Sequence, residues 1–279
     1  MLDTLLLYFK TYPVVSYATA VLCAVSLCSA LLGVILVLKR YSMIGDGLSH
    51  VAFGGTAIAT VTGFAPTYVA LPITVVAAIL LLRLKESSRV KGDAAIAMIA
   101  TGALAVGYLL LNIFPENATS ITGDACTALF GSASIIGISL SDVILSAVLA
   151  AVLLALFIIF YNKIFAVTFD ESFAAASGTK VGIYNTVLAA VTGAVIVIAM
   201  NMVGALLISA LITFPALSAM RLFKSFKRVV ICSAVISVSC ALVGAVLCIL
   251  LSTPVGATVA VVDLTVFVIA TIIGMIKNR

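Results

Sequence analysis

Apolar residues run along this chain in long stretches that neither alternate nor leave one helical side polar. Nine of them approach the roughly 20 residues a helix needs to cross a bilayer core. They lie at about 14–38, 43–62, 66–82, 94–112, 140–160, 183–200, 203–220, 229–251 and 256–276. The sixth and seventh are parted only by a weak break, Met200-Asn201-Met202, so an eight-span version stays open. A further apolar piece, Leu129–Ile138, is too brief to span and reads as a re-entrant or broken helix buried against protein.

Composition turns these stretches from core helices into lipid-facing ones. The chain has 279 residues, 64% hydrophobic and 9% charged, with a mean hydropathy of +1.37. Soluble domains are about one-quarter charged. So few charges cannot cover such a chain in water, and the expectation is an all-α, polytopic membrane protein of eight to nine transmembrane helices. Residues 1–279 are read as one transmembrane domain with its bundle at 14–276. The first residues, MLDTLLLYFKTYPVVSY, lack a basic stretch followed by a short apolar core and a small-residue cleavage site, so no cleaved signal peptide is expected.

The net charge of +5 would hint at nucleic acid in a soluble protein, but here the basic residues cluster between spans. Lys39, Arg40, Arg83, Lys85, Arg89, Lys91, Lys163, Lys180, Arg221, Lys224, Lys227, Arg228, Lys277 and Arg279 fall on one side if nine spans alternate; Lys10 alone falls on the other. Positive residues favour the cytoplasm, which places the N-terminus outside and the C-terminus inside. The outer loops carry Glu116 and Asp124. Trp is absent, so Tyr8, Tyr12, Tyr41, Tyr68 and Tyr161 are expected to form the interfacial aromatic belt. Cys23, Cys28, Cys232, Cys240 and Cys248 sit in apolar runs without CxxC spacing and read as small packing residues; Cys126 is in a polar loop. No GxxxxGK[ST] sequence occurs, so any ATP chemistry belongs to another chain.

Intramembrane charges are costly and mark function by default. Asp46 and the single histidine, His50, share the span that reads YSMIGDGLSHVAFGG. Their i, i+4 spacing places them on one helical face, with Ser49 beside His50. Imidazole nitrogen and carboxylate oxygen suit Zn²⁺ or Mn²⁺. One helix supplies only two ligands, and a two-fold dimer would supply four. A proton relay and a structural Asp–His pair are the other readings of the same residues. Gly45, Gly47, Gly54 and Gly55 surround the pair and are expected to let neighbouring helices approach closely. Asp263 lies mid-span in TVAVVDLTVFV, either hydrogen-bonded to a Ser or Thr or lining a path. Asp142, in SLSD, is expected in the first turn of a helix.

At this point the chain resembles the zinc and manganese family of ABC-transporter permeases. The segments that carry the resemblance are SMIGDGLSHVAFGGTAIA, LFGSASIIGISLSD, FAVTFDESFAAASGTKVGIYN, NMVGALLISALITFPALSAMRL and TPVGATVAVVDLTVF, in that order over residues 14–276. The resemblance implies a fold like that of vitamin B12 and siderophore importer permeases. It further implies a homodimer on two cytoplasmic ATP-binding subunits, fed by an extracellular metal-binding protein. Asp46 and His50 match the family residues that carry the permeant metal, Zn²⁺ or Mn²⁺ being substrate with no permanent cofactor. Residues 161–182, with Phe169, Asp170, Glu171, Ser172, Phe173 and Gly178, match its cytoplasmic coupling loop, where Asp170 and Glu171 are expected to meet basic groups on a partner. The basic loop Arg221–Arg228 is a second coupling candidate. Asp263 departs from the pattern, which has a neutral residue there, often Asn. Ser49 and Asp263 are candidate path residues. The chain itself would catalyse no bond chemistry. The competing reading is a secondary transporter driven by a proton gradient, with Asp46, His50 and Asp263 as relay.

Overall fold

The computed structural model describes residues 13–84, 92–114 and 139–277, and all their regular structure is helical. Among the described residues eleven helices follow in order: α1 (Pro13–Leu38), α2 (Ile44–Thr62), α3 (Pro66–Leu84), α4 (Gly92–Ile113), α5 (Leu140–Ile159), α6 (Tyr161–Phe169), α7 (Glu171–Ala176), α8 (Val181–Val203), α9 (Ala205–Leu222), α10 (Phe226–Leu251) and α11 (Val255–Lys277). Leu129–Ile138, Cys126, Glu116, Asp124, Tyr8, Tyr12, Lys10, Lys85, Arg89, Lys91 and Arg279 lie outside the described residues.

Each of the nine apolar stretches is a helix, but among the described residues seven helices are long and apolar enough to cross a membrane. The two that fall short are α2 and α3. On α2 the reason is local. Its glycines, Ser49, Asp46 and His50 lower its hydropathy, and it lies inside the bundle against α3, α4, α8 and α9. A helix enclosed by protein has no need of a lipid-soluble surface. On α3 the described apolar stretch is Pro66–Leu82, whereas the helix itself runs to Leu84.

At the centre stands α1, the most enclosed of the candidate spans. It packs against α5, α8, α9 and α10. The Ser237 hydroxyl of α10 donates to the Ser26 carbonyl at 3.0 Å, joining polar groups that lipid could not satisfy. The outer faces of α4, α5, α10 and α11 carry exposed Met98, Ile158, Val235 and Ile272, an apolar surface suited to lipid tails.

Close approach depends on small residues. A Cβ on Gly33 would run into the backbone carbonyl of Ile212 on α9. On α2 the glycines face three neighbours: Gly45 meets Ile212, Gly47 meets Ile96, Gly54 meets the Ala103 carbonyl of α4, and Gly55 meets Ala70 of α3. The packing role expected of the glycines is what the helix uses.

Three details differ from the sequence reading. The division between α8 and α9 falls at Gly204, with φ 91° and ψ 157°, three residues beyond the Asn201 break. That backbone region is essentially glycine's alone, whereas Asn201 has an ordinary helical place. Tyr41 is buried, 5% exposed, and so belongs to the core instead of the aromatic belt, whereas Tyr68 is 83% exposed. Residues 161–176 are two short helices, where a loop was expected.

Candidate functional site

The turn leading into α2 sets the position of the Asp–His pair. At the end of α1, Tyr41 N–H donates to the Leu36 carbonyl at 2.8 Å and Arg40 N–H to Val37 at 3.0 Å. This is a Schellman closure, with Arg40 in the left-handed position at φ 64°. Ile44 N–H then donates to the Tyr41 carbonyl at 3.0 Å, and α2 starts at once. Asp46 therefore sits in the first turn of α2, where a carboxylate meets the positive end of the helix dipole.

The next turn carries His50. Its Nε2 lies 3.6 Å from Asp46 Oδ2, too far for a hydrogen bond and within ion-pair range. Two ligands bound to one tetrahedral ion at 2.0–2.2 Å lie about 3.3–3.6 Å apart. The observed gap of 3.6 Å lies at the upper edge of that range and is also an ordinary spacing for an i, i+4 ion pair. The Asp46 side chain is 51% exposed and His50 19%, so the pair opens outward from the chain. Among the described residues no group of three or more His, Cys, Asp or Glu side chains comes together. One copy thus offers two ligands.

Ser49 is fully buried, and its hydroxyl donates to the Gly45 carbonyl at 2.8 Å, back along its own helix. Asp263 is buried on α11 and, among the described residues, neither carboxylate oxygen has a hydrogen-bond partner. The expected Ser or Thr partner is absent there, because the polar side chain beside it is the Cys240 thiol of α10. Asp263 does not join Asp46 and His50, so the three residues of the relay reading form no cluster.

The segment matched to a coupling loop is built from aromatic contacts and caps. Phe226 at the start of α10 holds α6 through Tyr161, Phe165 and Phe169, with ring centroids 5.6, 5.4 and 5.8 Å away. Asp170 caps α7: its carboxylate accepts from Phe173 N–H at 2.9 Å and from the Ser172 hydroxyl at 2.6 Å. The Phe173 amide and then the Ser172 hydroxyl hold the Asp170 carboxyl below its ordinary range. Gly178, at φ 83°, closes α7 as Arg40 closes α1. Phe169 and Phe173 point outward, 57% and 66% exposed, while Ala174 is buried.

Glu171 pairs with Lys39 of the same chain at 2.8 Å, while its own side chain stays 43% exposed. Sequence reading counted Lys39 only as an inside charge; nothing local distinguished it from Arg40. At the other end of the membrane bundle, Asp142 takes its expected place in the first turn of α5, accepting the Ser139 N–H at 2.9 Å.

The family model described as the ABC 3 transport family matches residues 11–274. A probable iron transport system membrane protein of Haemophilus influenzae is 31% identical over 258 residues, covering 91% of this chain and 92% of that one. The manganese import system permease protein ScaB of Streptococcus gordonii is 27% identical, covering 85% of this chain and 83% of its own. Among solved structures, PsaBC from Streptococcus pneumoniae in complex with Fab superposes with a TM-score of 0.83 at 24% identity, covering 97% of this chain and 95% of that one.

Proposed function

The chain belongs to the ABC 3 transport family, and from that premise we propose that it is the membrane-spanning permease of an ATP-driven importer of a divalent transition metal. The names of its relatives favour manganese or iron among the candidates; zinc suits the same ligands. The observation that carries the reading is the Asp46–His50 pair, held open on one face of α2 with its polar atoms 3.6 Å apart, a spacing that a shared cation could bridge.

In this reading two copies meet about a two-fold axis, and two carboxylates and two imidazoles replace the water shell of the passing ion. The bundle crosses the membrane nine times, α2 and α3 included, with the N-terminus outside. A metal-binding protein outside delivers the ion. ATP-hydrolysing subunits in the cytoplasm dock on α6 and α7, where the exposed Phe169 and Phe173 offer apolar anchors. The permease holds and releases the ion; hydrolysis belongs to the partners. A bound ion shifts the transporter between states only by its differential affinity for them, so the geometry of the four ligands must change during the cycle.

The test is uptake of Mn²⁺, Fe²⁺ and Zn²⁺ by cells that express the chain with its transport partners. Asp46→Ala and His50→Ala are each expected to abolish uptake at unchanged protein level. Wild-type uptake in both variants would remove the site from the pathway.

A further inference from the structure

Lys39 directly follows α1, and its ammonium group is withdrawn from solvent, with the side chain 4% exposed. A buried ammonium must be paired to persist. Its Nζ donates to Glu171 Oε1 at 2.8 Å and to Asn185 Oδ1 at 2.6 Å. The Asn185 amide in turn donates to the same Glu171 oxygen at 3.3 Å. The end of α1 thus meets, in one triangle, the first residue of α7 and the first turns of α8, 132 and 146 residues further along the chain.

We propose that this Lys39–Glu171–Asn185 triangle is the positioning link through which displacement of α7 reaches the Asp46–His50 pair. The inference rests on the transport reading above and adds a route to it. On one side of the triangle, α7 packs on α6 and α8 and presents Phe173 outward. On the other side, Lys39 is joined to α2 by a turn without slack. The paired closure at Leu36 and Val37 fixes Arg40 and Tyr41, Tyr41 is buried, and its carbonyl receives the Ile44 amide that begins α2. Asp46 follows two residues later. A pull on Glu171 is therefore delivered to the first turn of the ligand-bearing helix through an ion pair and a locked turn, with no flexible segment between them. The pair is half-buried, Lys39 at 4% and Glu171 at 43% exposure; an ion pair that only filled space could be replaced by apolar side chains at little loss, and a link of this kind cannot.

The experiment uses vesicles that contain the chain with its ATP-hydrolysing subunits, with Mn²⁺ as the transported probe. Uptake and ATP hydrolysis are measured together, and Mn²⁺ binding is measured on the purified chain. In Glu171→Gln and Lys39→Met, the ions carried per ATP hydrolysed are expected to fall about tenfold or more, with Mn²⁺ binding unchanged. Exchanging the charges, Lys39→Glu with Glu171→Lys, restores much of that ratio, which a loss of packing alone would not do. Single variants that keep the wild-type ratio would overturn the link, as would uptake and hydrolysis falling in proportion. Wild-type vesicles that hydrolyse ATP but accumulate no Mn²⁺ would overturn the transport reading first, and the link with it.

Discussion

Gly33→Ala tests whether α1 is held where it is by backbone contact. The added methyl would sit more than an ångström inside the 3.4 Å at which ordinary contact with the Ile212 carbonyl begins. A carbonyl is backbone and cannot swing aside, so α1 and α9 must separate or shift along each other. Overpacking of this kind costs typically about 1–3 kcal/mol, and the severity of the contact places it at the upper end. Alanine recovers about 1 kcal/mol of helix propensity. A net loss of about 2 kcal/mol lowers the unfolding midpoint by roughly 4–8 °C for a chain of this size. Gly102→Ala is the control, since nothing lies within 4 Å of its added carbon; it keeps the propensity gain alone. With no Trp in the chain, unfolding in detergent is followed by a thiol-reactive dye that reports release of the buried Cys28 and Cys240. Gly33→Ala and Gly102→Ala melting together would refute the close-contact argument.

Two other substitutions probe polar groups. Asp263→Asn keeps the side-chain shape and removes a buried carboxylate that lacks a hydrogen-bond partner among the described residues. It is expected to raise thermal stability by about 1–3 kcal/mol while metal uptake stays normal, and lost uptake in a well-folded variant would assign Asp263 to the path. Asp170→Ala removes the cap of α7, and hydrogen exchange at the Phe173 amide is expected to accelerate. Because the Asp170 carboxyl is held below its ordinary range, the cap is complete above the free aspartate value of about 3.9. It is lost as pH falls through the lower, folded value. Protection of Phe173 that is constant around neutrality and collapses only in stronger acid would agree; a loss centred near neutral pH would not.

Much of the bundle was legible because a bilayer imposes length and hydropathy on any helix it touches. The limits of that signal appear at α2, whose surroundings are protein and whose sequence therefore obeys packing more than lipid. The Asp46–His50 pair was legible for a related reason: two ionisable side chains one turn apart are conspicuous in an apolar span. Glu171 shows what was not. Its sequence neighbours place it beside Asp170 at a helix start, and both acids look alike there. Only the fold brings Lys39 under one of them and leaves the other to cap α7. Tyr41 and Gly204 carry the same lesson at smaller scale. Whether a tyrosine near a span end faces lipid headgroups or the core, and which residue in a weak break takes the left-handed turn, depends on contacts made far along the chain.

The glycines of α2 bear on how an ion could pass. With Gly47 and Gly54 pressed on α4, Gly55 on α3 and Gly45 on Ile212, turning this helix about its axis would drive side chains into main-chain atoms of α3 and α4 and against the Ile212 side chain of α9. Such close contacts disfavour a swivel of the Asp46–His50 face alone. On the transport reading, a change of access is expected to carry α2, α3, α4 and α9 together, rocking against whatever faces the open side of Asp46.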